Sequence, residues 1–336
     1  MTGPSRIVTA SPHIRGGDST PTIMWSVVSS LVPVVASAIY FFGPSAILVL
    51  AASTAGAMAP EFFLAVRGPR SLRDGSAVIT GILLGLTLPP GIPLWMAFLG
   101  GAFGIGFGKL VFGGLGQNVF NPALLGRAFL QAAFPVAITT WPERAESWWS
   151  LRGDNLALPL MSPEVPEAIS GATPLGLMKF EQTLTSSWDL MLGTTSGSLG
   201  ETSGLIILLC GVYLAARKHL DWRIPASVLG SVALLSAILH GLDAESYPGP
   251  VFMLFSGGLM LGAVFMATDM VTSPVTHRGC WIFGAGIGLL VVVIRIWGGL
   301  SEGVMYAILL MNALVPFINR VTQPHIFGEP ALGREP

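Results

Sequence analysis

The sequence predicts an all-α membrane protein with about ten transmembrane helices, arranged as two inverted repeats of five helices. Three observations support this fold class. Hydrophobic residues make up 52% of the 336 residues and charged residues only 10%, whereas soluble domains carry about a quarter charged residues. About ten apolar segments can be drawn along the chain. A polar insert separates five of them from five others, and an odd number per half inverts the second half relative to the first.

The apolar segments follow one another with mostly short polar connections. The third is too short to cross about 30 Å of hydrocarbon as a straight helix. The chain starts with a polar stretch, residues 1–22, before an apolar run of spanning length, so we expect a retained first span and not a cleaved signal peptide. The ten segments are residues 23–42, 44–66, 77–89, 93–112, 123–140, 199–216, 224–240, 250–268, 281–297 and 301–319.

Lysine and arginine fall in alternate connections, which predicts the orientation in the membrane. With a cytoplasmic N-terminus, the short outer loops hold no Lys or Arg. We expect a cytoplasmic segment 1–22, a first repeat 23–140, an extracytoplasmic insert 141–198, a second repeat 199–319 and a cytoplasmic tail 320–336. The cations expected on the inner side are Arg67, Arg70, Arg73, Lys109, Arg127, Arg217, Lys218, Arg223, Arg278 and Arg320.

Each half contains a glycine-rich apolar run that ends in a proline-containing break. These are "TGILLGLTLPPGIP" (80–93) and "GGLMLGAVFMATDMVTSP" (257–274). Broken helices in corresponding positions are typical of inverted-repeat transport proteins. The alternative is a coincidental similarity between two glycine-rich helices.

Charge and metal-ligating residues exclude several functions. The formal net charge of −1 gives no reason to expect a nucleic-acid partner. Cys210 and Cys280 lie in apolar runs without a CxxC or Cys/His cluster, so we expect no zinc site, iron–sulfur site or disulfide framework. His219 and His277 lack partners at metal-ligand spacing, so no metal is assigned.

The insert contains the small, polar stretch "EAISGATPLG", residues 167–176. The Thr173 hydroxyl has no base beside it, so hydrolytic catalysis by this segment is implausible. An accessible threonine beside Gly171 and Ala172, with Pro174 limiting the backbone, suits esterification by an external enzyme. The alternative is a solvated turn rich in Ser, Gly and Pro.

Two asparagines form a second candidate site in "GGLGQNVFNPALLGR" (113–127). Asn118 and Asn121 follow glycines that allow close backbone approach, as in a re-entrant segment that lines a cavity. Their amides either bind a ligand edge or cap helices and satisfy the broken backbone.

Ionisable residues in or beside apolar segments are a third group of candidates, as ion-path groups or internal pairs. Glu61 lies deepest in its segment. Lys109 and Asp269 lie near segment ends, where snorkelling or helix capping is the favoured explanation. The group comprises Glu61, Lys109, Asp269, Arg295 and Glu302.

Three motifs together resemble the RnfD/NqrB family of membrane subunits. They are "GGLGQNVFNPALLGRAF" (113–129), "SGATPLG" (170–176) and "ATDMVTSP" (267–274). Members belong to the Rnf complex and to the sodium-pumping NADH:quinone oxidoreductase. The resemblance covers essentially all ten segments, and the short N-terminus and length are closer to the RnfD type than to the NqrB type.

The resemblance implies a covalent flavin on the insert. In the family, the threonine of this motif carries FMN through a phosphoester bond that a dedicated flavin transferase installs. By position this threonine is Thr173, and Ser170, Gly171 and Ala172 complete the motif. One departure is Glu167, which stands where many members have Asp; it keeps the charge and could alter transferase recognition slightly.

Two further expectations concern the flavins. Some members of the family bind riboflavin non-covalently, and Asn118 and Asn121 are the candidates to hold it here. The phosphate on the insert would be an anion, with which Arg152 or Lys179 could pair. The alternative is that these two are ordinary loop cations.

The resemblance therefore implies a subunit of an ion-translocating NADH–ferredoxin oxidoreductase complex in the bacterial inner membrane. The subunit would relay electrons through FMN, coupled to Na⁺ or H⁺ transport, with the insert in the periplasm. Its implied partners are the A, B, C, E and G subunits of the Rnf complex, the flavin transferase and membrane lipid. A solute transporter or channel on a scaffold similar to urea-transporter architecture is the alternative, and a purely structural scaffold is a third.

Overall fold

The computed structural model describes residues 19–65, 68–142, 148–159, 173–193, 195, 197–201 and 203–324, and its elements are helical, which confirms the predicted all-α class. Five helices in these ranges are long and apolar enough to cross a membrane, and several shorter apolar helices accompany them. The chain is therefore a multi-pass membrane protein. The five long helices are Thr20–Phe42, Pro44–Leu64, Arg223–Leu242, His277–Trp297 and Val304–Thr322.

The first half contains six α-helices. Ser19 caps the first of them, and proline occupies an early position in several, where its missing N–H costs nothing. The helices are α1 (Thr20–Phe42), α2 (Pro44–Leu64), α3 (Ser76–Leu86), α4 (Leu94–Ile105, continued by a π-helical turn, Gly106–Leu110), α5 (Pro122–Ala133) and α6 (Pro135–Thr139).

Short helices in the insert precede the second half. The insert contributes α7 (Pro174–Gly176, continued by a π-helical turn, Leu177–Glu181) and α8 (Ser187–Leu192). The second half consists of α9 (Gly204–Ala216), α10 (Arg223–Leu242), α11 (Pro250–Phe255), α12 (Leu259–Leu261, continued by a π-helical turn, Gly262–Met266), α13 (His277–Trp297) and α14 (Val304–Thr322).

Each of the ten predicted apolar segments contains helix, but two are broken inside. The fifth is interrupted at Phe134, immediately before Pro135, which cannot continue the hydrogen-bond ladder. The eighth is interrupted between α11 and α12, where Gly257 has a φ of 64°, a left-handed conformation that favours glycine. Both interruptions therefore follow from residues that end helices.

Helix pairing is the same in the two halves. The most extensive contacts are of α2 with α4 and of α10 with α13, which occupy equivalent positions in the five-plus-five plan. The halves meet where α1 packs on α9 and α5 packs on α14, again equivalent helices. A single hydrophobic core runs through both halves. This pairing supports two repeats, and their opposite orientation stays a prediction.

The two proline-containing breaks are non-helical, and distant residues satisfy their backbone groups. In the first break, after α3, the Leu88 carbonyl accepts from the Leu199 N–H at 3.1 Å and the Leu86 carbonyl accepts from the Gly200 N–H at 2.6 Å. Before the second, the Met266 carbonyl accepts from the Asn121 side chain at 3.1 Å. Backbone groups inside a membrane need such partners, because lipid offers none.

Candidate functional site

Thr173 lies at the start of α7 and opens onto a cleft. Its side-chain oxygen caps the helix by accepting a hydrogen bond from the Gly176 N–H at 3.1 Å, and the residue is half-buried. The other residues of its motif, Ser170, Gly171 and Ala172, lie outside the described residues, as does Glu167.

The cleft beside Thr173, called here the Thr173 cleft, lies between the insert and the two halves. Its volume of ≈ 460 Å³ falls within the ≈ 300–1,000 Å³ typical of small-molecule sites. Aromatic rings and an amide supply flat apolar surface and hydrogen-bonding groups, and charged side chains lie among them. The lining includes Arg127, Gln131, Trp141, Phe180, Glu302 and Tyr306.

Arg127 belongs to this cleft and not to an inner loop, so its expected cytoplasmic position is wrong. It lies on α5, is buried, and forms an ion pair with Glu302 with an Nη2 to Oε2 distance of 2.9 Å. Its other terminal nitrogen donates to the Thr87 carbonyl. A cation well inside a helix faces its neighbours, whereas the orientation rule counts it as part of a loop.

Neither expected cation of the insert faces the cleft. Lys179 Nζ lies within hydrogen-bonding distance of four carbonyl oxygens, two near the C-terminal end of α13 and two beyond it, among them Gly298 at 2.5 Å and Leu300 at 2.7 Å. Burial lowers the pKa of the Lys179 ammonium. Arg152 is buried against the α1–α2 corner, where Nη2 donates to the Phe41 carbonyl at 3.1 Å. Both cations are structural, and Arg127 is the cation that lines the cleft.

Asn118 and Asn121 line a second, smaller space, called here the Asn118 pocket, of ≈ 90 Å³. The Asn118 side chain is 6% exposed, and its Oδ1 has no hydrogen-bond partner among the described residues. Such a buried, unsatisfied acceptor is rare. Asn121 differs, because its Oδ1 caps α5 by accepting from the Ala123 and Leu124 N–H groups while its Nδ2 donates to Met266. Of the two amides, only that of Asn118 keeps an acceptor for a ligand.

Glu61 and Lys109 form a buried ion pair. Lys109 Nζ lies 2.6 Å from Glu61 Oε1 and also donates to Ser76 Oγ at 2.6 Å, and the two charged side chains are 1% and 4% exposed. The expected snorkelling of Lys109 is therefore wrong. Sequence reasoning missed this pair because the partners are 48 residues apart.

The remaining ionisable candidates have structural partners. Asp269 accepts from the Val271 N–H at 3.2 Å and from the Thr272 hydroxyl at 3.3 Å, a capping role at the second break. Arg295, fully buried in α13, donates to the carbonyls of Met253 at 2.6 Å and Ser256 at 2.8 Å. It therefore holds the chain between α11 and α12.

Among the described residues, no three or more His, Cys, Asp or Glu side chains come together as metal ligands. Cys210 and Cys280 are buried and not joined in a disulfide. The chemistry available in the two spaces is therefore that of hydrogen bonds, charges and aromatic faces, together with the Thr173 hydroxyl.

Fold and site together define a multi-pass membrane protein of two similarly paired halves, with a charged cleft between them and a polar insert over it. The chain belongs to the NQR2, RnfD, RnfE family, whose model matches residues 7–328.

Curated relatives agree with this family, and each of the following is the D-type subunit of its complex. The chain is 43% identical to that of the ion-translocating oxidoreductase complex of Stutzerimonas stutzeri, with 94% of each chain covered. It is 40% identical to that of the proton-translocating ferredoxin:NAD(+) oxidoreductase complex of Clostridium ljungdahlii, with 96% of each covered. It is 39% identical to that of the Na(+)-translocating ferredoxin:NAD(+) oxidoreductase complex of Acetobacterium woodii, over 98% of this chain and 97% of that protein.

Proposed function

We propose that this chain is the D-type membrane subunit of an ion-translocating ferredoxin:NAD⁺ oxidoreductase complex. In this role it carries electrons through FMN esterified to Thr173, and electron transfer is coupled to movement of Na⁺ or H⁺. The proposal extends to the chain what the names of its relatives say of them. Its partners would be the A, B, C, E and G subunits, a flavin transferase and the lipid of the inner membrane, with both termini cytoplasmic and residues 141–198 periplasmic.

The observation that carries the proposal is the position of Thr173 at the edge of the Thr173 cleft. The cleft is large enough for a small-molecule ligand, and Trp141, Phe180 and Tyr306 offer faces against which a planar ring can pack. Gln131 adds an amide that can hydrogen-bond a ring edge. These residues fit an isoalloxazine ring whose tether is on Thr173. FMN, when bound, supplies the one-electron and two-electron chemistry.

The Thr173→Ala variant should lose all covalent flavin, because the ester oxygen is removed. The measurement is in-gel flavin fluorescence of the denatured chain after coexpression with a flavin transferase, since denaturation strips any flavin that is not covalently bound. Thr183→Ala is the matched control, because Thr183 is an exposed threonine of the same insert, and its band should equal that of the unchanged chain.

A dark band for the unchanged chain, with the transferase active on another substrate, would refute the covalent flavin. A solute transporter or channel on the same scaffold would then be the better proposal, because the fold alone does not determine the function.

A second, non-covalent flavin is proposed at Asn118. The unsatisfied Oδ1 supports a ligand with a hydrogen-bond donor, such as the ring N–H of riboflavin. The pocket of ≈ 90 Å³ is smaller than typical small-molecule sites. A bound flavin therefore requires its lining helices to move apart.

Asn118→Ala should weaken riboflavin binding about tenfold, which corresponds to one lost hydrogen bond of roughly 1.4 kcal/mol. The measurement is the riboflavin extracted from the purified chain after a wash with flavin-free buffer. The covalent band on Thr173 serves as the internal control and should not change. Equal riboflavin content in the variant and the unchanged chain would show that Asn118 does not hold it.

A further inference from the structure

Two charged side chains of the Thr173 cleft also hold the helix breaks. Arg127 uses its two terminal nitrogens separately. Nη2 donates to Glu302 Oε2 at 2.9 Å, and Nη1 donates to the carbonyl of Thr87, the capping residue at the end of α3, where the first break begins. The guanidinium therefore connects the cleft to the first break.

Glu302 makes the corresponding connection in the second half. Its other carboxylate oxygen, Oε1, accepts the N–H of Gly258, the capping residue at the start of α12. Arg295 holds the preceding residues of the same interruption through the carbonyl of Ser256. One ion pair thus joins the break after α3 to the interruption between α11 and α12.

The surroundings make this pair sensitive to charge in the cleft. The side chains of Arg127 and Glu302 are 9% and 21% exposed, so water and salt screen them less than surface charges. A negative charge added to the cleft attracts Arg127 and repels Glu302. If the added charge loosens the pair, then by thermodynamic reciprocity the pair alters the free energy of adding that charge.

We propose that Arg127 and Glu302 set the reduction potential of the flavin on Thr173 and transmit the charge of its reduced form to the two breaks. The inference rests on the proposed function, because it requires flavin in the Thr173 cleft. The two residues act through opposite charges, so their neutral variants have opposite effects. Arg127→Gln lowers the midpoint potential, because a cation that favours reduction is lost, and Glu302→Gln raises it.

Redox titration of flavin absorbance in the purified complex measures this potential, with the Thr173→Ala complex subtracted to isolate the flavin in question. Glu181→Gln is the matched control, because Glu181 lines the same cleft but is exposed; its shift should be smaller than that of Glu302→Gln. Shifts of the same sign in the Arg127 and Glu302 variants would overturn the proposal, since a general disturbance does not depend on the sign of the charge. If Arg127→Gln does not assemble, a Glu302→Gln shift no larger than that of Glu181→Gln overturns it.

Hydrogen exchange detects the effect on the breaks directly. Peptides covering residues 87–93 and 257–262 should exchange faster in the dithionite-reduced complex than in the oxidised one, and the difference should vanish in Thr173→Ala and Glu302→Gln. Equal exchange of the unchanged complex in both redox states, with the fluorescent band present, overturns the inference alone. A dark band refutes the proposed function instead.

Discussion

Replacement of Lys109 by methionine is expected to lower the free energy of unfolding by about 3–5 kcal/mol, because it leaves a buried carboxylate without its partner. Glu61 is 1% exposed, and Lys109 Nζ is 2.6 Å from its Oε1. The neighbouring Asp74, with a carboxylate oxygen 3.9 Å from the same nitrogen, adds to the uncompensated negative charge. Thermal unfolding of the purified chain in detergent would measure the loss.

The double variant Glu61→Met with Lys109→Met is the control for this prediction. A pair of apolar residues of similar volume often replaces a buried ion pair without loss, so the double variant should be more stable than Lys109→Met alone. A Lys109→Met protein as stable as the unchanged chain would contradict the prediction. It would mean that Glu61 does not depend on Lys109, and the role of Glu61 in ion movement, which stays a prediction, would then gain support.

Replacement of Gly56 by alanine is expected to lower the free energy of unfolding by about 3 kcal/mol, at the upper end of overpacking costs. Gly56 lies on α2 where α4 crosses it, and an added Cβ would overlap the Phe98 carbonyl oxygen. The obstacle is backbone, so no side-chain rotation can relieve it. Small residues at such crossings let membrane helices approach closely.

Gly230→Ala makes the same chemical change where there is room. Gly230 lies on α10, and a Cβ there would meet no atom within 4 Å. Because alanine favours helix over glycine by about 1 kcal/mol, this variant should be as stable as the unchanged chain or slightly more so. Equal melting temperatures for Gly56→Ala and Gly230→Ala in the same detergent would show that the α2–α4 contact can open without cost and would contradict the prediction.

Local features of the sequence predict the helices well. Hydropathy is a property of neighbouring residues, so the ten segments can be located, and proline and glycine identify breaks such as Thr87–Pro93. Interruptions inside segments are missed where Pro135 and Gly257 resemble ordinary residues of an apolar run. Glycine and proline are common in membrane helices, so their presence alone does not show which ones interrupt a helix.

Partners distant in sequence could not be predicted. Arg127 and Glu302 are 175 residues apart, and a single sequence contains no record of which charges meet. The orientation rule places Arg127 in an inner loop because it uses only position along the chain. The same limit applies to Asn118 and Asn121, two similar amides of one motif, since only the fold shows that Asn121 is occupied as a cap.

The hydrogen bonds between the first break and residues 199–200 have a consequence for biosynthesis. The carbonyls of Leu86 and Leu88 receive their donors from Gly200 and Leu199, on the far side of the insert. While the ribosome is still making the insert, the first five apolar segments are complete but these acceptors have no partner, and the lipid provides none. The first half is therefore not an independent folding unit, and its break takes its final form only after residue 200 has been synthesised.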